Sequence, residues 1–111
     1  MSRAEPLLHY GSFGRGQKAV VFLHGFAGFG EMWGWQVKDM ASVARLIVPD
    51  LPGHGQSPWH GEGLGDIAEE IRAVMGQERV DQAFFVASSF GGLVALKFLE
   101  EYPDQDRKSV V

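Results

Sequence analysis

The stretch that decides the fold is Gln82-Ala-Phe-Phe-Val-Ala-Ser-Ser-Phe-Gly-Gly92. Its first part, QAFFVA at 82–87, reads as a strand covered on both faces. From Phe90 to Tyr102 the chain reads as a largely apolar helix that stops before Pro103. A serine at the tip of so sharp a strand-to-helix turn needs small residues two before it and two after it. Ser89 has Ala87 and Gly91 there, whereas Ser88 has Val86 and Phe90, both too large. Ser89 is therefore the tip. Such a turn aims the first N–H groups of the helix at the serine's reaction partner, where the helix N-terminus favours an anion. The N–H of Phe90 is one candidate oxyanion donor, and losing one such donor costs about 3 kcal/mol of transition-state stabilisation. A serine pair capping a helix is the plain alternative; the buried strand before it and the Gly91–Gly92 pair after it favour the nucleophile elbow.

Upstream, the same alternation repeats. Leu7–Tyr10 reads as a short strand followed by a glycine-rich turn, GSFGRGQK. Ala19-Val-Val-Phe-Leu23 is a continuous apolar run fitting a buried strand. Residues 31–42 look helical, with Met32, Trp35 and Met40 among the apolar positions and Gly34 weakening the helix. Residues 44–49 (ARLIVP) form a second buried-strand candidate, and the Pro- and Gly-rich stretch 50–63 is loop. Between 64 and 76, Leu64, Ile67, Ala68, Ile71, Val74 and Met75 fall on one stripe, while Asp66, Glu69, Glu70 and Arg72 face away. The tail 107–111 begins to look like another strand. This pattern predicts a single domain: a three-layer α/β/α sandwich with a mostly parallel sheet.

Two glycine loops follow the first two buried strands. In His24-Gly-Phe-Ala-Gly28, glycine lets backbone N–H groups approach a ligand, and Phe26 is the second candidate oxyanion donor. His24 is expected to brace this loop by hydrogen bonds. In Asp50-Leu-Pro-Gly-His-Gly-Gln-Ser57, Asp50 is expected to cap or brace the turn. His54 reads as a structural histidine rather than a base for Ser89; His9 and His60 have weaker claims.

The set HGFAG at 24–28, DLPGHGQS at 50–57 and ASSFGG at 87–92 resembles the α/β-hydrolase family. It is similar in particular to the branch of small esterases, lactonases, C–C bond hydrolases and cofactor-free perhydrolases. The resemblance runs from about Leu7 to Val111 and covers the N-terminal half of the family fold. It implies that Ser89 is the nucleophile, that Phe26 and Phe90 supply oxyanion N–H groups, and that no cofactor or metal is used. The implied substrate is a small carboxylic ester or related acyl compound. Dehalogenases and epoxide hydrolases resemble this pattern with an aspartate nucleophile, so a serine speaks against those activities. Two departures stand out. Ala87 occupies a position usually held by glycine, and the polar Asp106, Lys108 and Ser109 stand where the family continues with an apolar strand.

The family's triad runs serine, then acid, then histidine along the chain. All four histidines here precede Ser89, so acid and base are expected beyond residue 111. A serine without its base is a weak nucleophile, and losing the histidine of a serine protease costs roughly a millionfold in turnover. The isolated chain is thus expected to be nearly inactive: a truncated fragment, a binding module, or the partner of a complementary C-terminal segment. Self-association through an open sheet edge is the other expectation.

Composition narrows the remaining classes. Of 111 residues, 45% are hydrophobic and 22% charged, as in ordinary globular domains. A net charge of −4 without any basic run argues against nucleic acid or anionic membrane as partners. With no cysteine, disulfides, thiolate metal sites and cysteine nucleophiles are excluded. The opening MSRAEPLL has no apolar run long enough for a signal peptide, so the cytoplasm is the expected compartment. A dinucleotide-binding reading of GFAGFG fails because Trp33 stands where the third glycine of the fingerprint belongs.

Overall fold

The computed structural model describes residues 7–25 and 28–110, with side chains described as far as Asp106. Five strands form one sheet: β1 (Tyr10–Gly14), β2 (Ala19–Leu23), β3 (Arg45–Pro49), β4 (Ala83–Ala87) and β5 (Asp106–Val110). Three α-helices accompany them: α1 (Gly34–Met40), α2 (Leu64–Gln77) and α3 (Phe90–Glu101). The strand order is β1-β3-β2-β4-β5. Only β1 runs antiparallel, against β3; the other pairings are parallel.

Alternation along β2 produces the three layers, because successive side chains point to opposite faces of a strand. Val21 and Leu23 join Ile67, Ile71, Val74 and Met75 of α2 and Val94 and Phe98 of α3 in one core. Val20 and Phe22 face the other way, into a smaller core with Leu46 and Val48, closed by Trp33, Val37 and Met40. Every residue of β2 is buried. At β4 the second face is less well covered: Phe84 and Val86 are only half-buried.

Several expectations shift. The first strand is Tyr10–Gly14 rather than Leu7–Tyr10, because pairing from Tyr10–Pro49 to Gly14–Arg45 draws the glycines into the sheet. The turn comes later, where Gly14 (φ 74°) and Gly16 (φ 147°) take conformations that favour glycine. The helix expected at 31–42 splits into a 3-10 turn, Gly30–Trp33, and the short α1. This leaves Met32 and Trp35 exposed, and Trp33 and Val37 meet the sheet instead. On α2, Glu70 is buried rather than outward-facing, and its carboxylate accepts the Leu7 N–H at 2.8 Å. The polar tail does form a strand, β5, with an irregularity in its pairing at Ala83/Phe84.

Candidate active site

Ser89 sits between β4 and α3 with φ 53° and ψ −117°. A non-glycine residue at positive φ is uncommon, and such strain clusters where the surrounding structure imposes it for function. Here the surroundings are visible. The Ser88 N–H donates to the Leu23 carbonyl at 3.0 Å, prolonging the β2–β4 pairing by one step. Gly91 N–H and Gly92 N–H then donate to the carbonyls of Ser88 and Ser89 at 2.9 and 2.8 Å, starting the helix at once. The chain has one residue in which to turn, and Ser89 takes the strain. Its side chain is exposed.

Two glycines make the close packing possible. A Cβ on Gly91 would lie 2.4 Å from the Leu23 carbonyl oxygen and 2.6 Å from that of His24. Only glycine fits. A Cβ on Gly25 would lie 3.0 Å from Cβ of Ser89 and 3.6 Å from its Oγ. The loop after β2 therefore lies directly against the serine. Ala87, in contrast, fits its position within the core. Phe90 opens α3, so its amide lies at the N-terminal end of the helix. Phe26, the other candidate donor, lies outside the described residues.

Loop 24–30 and loop 50–57 are tied together by two buried polar side chains. The Leu51 N–H donates to Nε2 of His24 at 2.9 Å, which makes Nε2 an acceptor. The ring proton therefore sits on Nδ1 and is donated to the Gly25 carbonyl at 2.7 Å. Burial above all holds His24 below the ordinary 6.5; His54 acts in the same direction, opposed by the Gly25 carbonyl and Asp50. Both ring nitrogens of this neutral imidazole are engaged in bracing the loop, as its position after the strand suggested. Asp50 is the second tie: Oδ1 accepts the Gly30 N–H at 2.5 Å and Oδ2 the Gln56 N–H at 3.0 Å. His54 packs its ring 5.0 Å from that of His24, and its Nδ1 lies 3.0 Å from the Pro52 carbonyl.

Sequence reasoning missed Ser57. It is buried, donates to the Asp50 carbonyl at 2.5 Å and accepts the His9 N–H at 2.9 Å, fastening the second loop to the start of β1. Glu78 was missed as well. It accepts hydrogen bonds from Tyr10 (2.6 Å), Ser12 (2.7 Å) and Arg45 (2.5 Å). The Tyr10 hydroxyl, first among these, holds the Glu78 carboxyl below its ordinary value. Ser57 closes the 50–57 motif, but its bond to His9 reaches 48 positions along the chain, and Glu78 sits in no motif, so no local signal marks the role of either. Among the described residues, no serine–histidine–acid triad is assembled and no cluster of potential metal ligands occurs.

A family profile for the alpha/beta hydrolase fold matches residues 18–108. The chain belongs to that family. Among curated proteins it is 33% identical over 108 residues to epoxide hydrolase 1 of Caenorhabditis elegans, covering 93% of this chain and 27% of that protein. It is 35% identical to the pimeloyl-[acyl-carrier protein] methyl ester esterase of Vibrio campbellii, covering 93% and 39%. Among solved structures, Est816, an N-acyl homoserine lactone degrading enzyme, superposes with a TM-score of 0.87 at 32% identity over 92% of this chain and 40% of that one. An epoxide hydrolase of Vigna radiata gives 0.85 at 27% identity over 96% and 36%. The α/β-hydrolase chain described here thus spans well under half the length of these relatives.

Proposed function

We propose that this chain supplies the nucleophile and oxyanion side of an esterase-like α/β-hydrolase, and that by itself it is catalytically silent. The observation that carries the first half is the backbone of Ser89, held at φ 53° beside Gly25 at the mouth of a helix. In this reading Ser89 Oγ attacks the carbonyl carbon of a small carboxylic ester, and the oxyanion is met by the amides of Phe26 and Phe90. A hydroxyl at position 89, rather than a carboxylate, favours acyl transfer over epoxide opening, although esterases and epoxide hydrolases are similar to the chain at comparable identity.

The second half rests on the histidines nearest in sequence to the loops. His24 has both ring nitrogens committed, and the Nδ1 of His54 is engaged at its own loop. His24 therefore has no nitrogen left for the Ser89 proton, and His54 precedes the nucleophile in the chain, against the family's order of serine, acid and histidine. Acid and base then come from a complementary C-terminal segment, for which the outer edge of β5 and the half-covered face of β4 are suitable seats. The partners in this reading are that segment and a small-molecule substrate, with neither nucleic acid nor membrane involved. No helix among the described residues is long and apolar enough to cross a membrane. A cytoplasmic location belongs to the same proposal and rests on the reading of the opening MSRAEPLL.

A fluorophosphonate probe tests this directly. The isolated chain should label no faster than its Ser89→Ala variant. Added in trans, the polypeptide that follows the matched region in a relative should raise labelling at Ser89. Rapid Ser89-dependent labelling of the isolated chain would overturn the silent reading. In the complemented assembly, labelling that Ser89→Ala leaves intact would overturn the nucleophile.

A further inference from the structure

We infer that the cleft between β1 and α1 binds a small organic ammonium ion with an apolar body. The cleft has a volume of about 400 Å³, within the usual range for small-molecule sites. Among the described residues of the proposed chemistry, neither Gly25 nor Ser89 lines it.

Its walls combine two features that together select a cation. Phe13 and Phe29 line it while remaining 45% and 42% exposed, and Val37 and Val48 add to its apolar surface. Ring faces attract cations through the aromatic quadrupole. Among the described residues, the charged ones lining the cleft are Glu31 and Asp50, with His9 as the other titratable residue and no lysine or arginine. The Asp50 oxygens each accept one backbone N–H, and a carboxylate oxygen has room for a second donor. An ammonium group would therefore find acceptors and ring faces, whereas an anion would meet like charge. Gly34 keeps the cleft open: a Cβ placed there would touch no heavy atom within 4 Å.

The test uses phenethylammonium, phenethyl alcohol and phenylacetate as probes on the full chain at pH 8, followed by amide nitrogen–proton correlation spectra. Phenethylammonium should give saturable shifts at Phe13, Phe29, Gly30 and Gly34. Its affinity should exceed that of the alcohol by about tenfold, and phenylacetate should give no shifts. Glu31→Gln should weaken binding several-fold. Gly34→Leu, which adds bulk at an open helical position, should abolish binding while leaving the unfolding transition intact. The inference is overturned by an absence of saturable shifts, by equal affinity for the alcohol, or by unchanged binding in a folded Gly34→Leu variant.

Discussion

Ser89 and His24 show how much a single residue can hold in this molecule. Ser89 carries a conformation that suits glycine, so Ser89→Gly should raise stability by about 1 kcal/mol, read from urea unfolding, whereas Ser89→Ala should not. His24 is buried and neutral, with its affinity for a proton depressed by folding. The unfolded chain therefore binds more protons than the folded one below pH 6.5. The stability that neutral His24 confers is complete above 6.5 and drains as pH falls toward the depressed folded value, at up to about 1.4 kcal/mol per pH unit. Urea midpoints measured from pH 7.5 downward should show this loss, and His24→Asn should flatten that part of the profile. The frame around Ser89 was legible in the sequence because steric demand at a tight turn is local: Ala87 and Gly91 answer it and Val86 and Phe90 do not. The tautomer of His24 was not legible, because its acceptor role is set by Leu51, on another loop.

At the scale of elements, α2 ends in a motif that is well formed but carries an ill-suited residue. The Val80 N–H reaches the Met75 carbonyl at 2.8 Å and the Arg79 N–H the Gly76 carbonyl at 3.1 Å, while Arg79 takes φ 59°. This is a left-handed helix cap, a position that glycine fills at no steric cost. Arg79→Gly should accordingly stabilise the chain by roughly 1 kcal/mol, measured as a rise in the urea midpoint at constant slope. The helices and strands with strong periodicity were readable, α2 above all. The start of β1 was not, because its glycines become strand only by pairing with residues 45–49, 31 to 39 positions away. Trp35 misled for a related reason: the 3-10 turn before Gly34 changes the helical phase, so a spacing counted straight through 31–42 assigns the wrong side to the sheet.

For the whole molecule, layer order followed from alternation alone, since each buried run had to be covered by the helix after it. What the alternation could not give was the pairing order. β2 lies between β3 and β4, and β3 is joined to β4 by a connection that passes over β2. Every neighbour of the central strand thus comes from later in the chain. Non-local pairing of this kind slows folding, and refolding from urea should fall in the millisecond-to-second range rather than in microseconds, with stopped-flow fluorescence as the measure. The same arrangement has a consequence during synthesis. While the ribosome is still adding residues 24 to 82, the apolar segment 19–23 has been made with at most one of its two flanking strands. It is therefore the stretch of nascent polypeptide that a chaperone would find uncovered for longest.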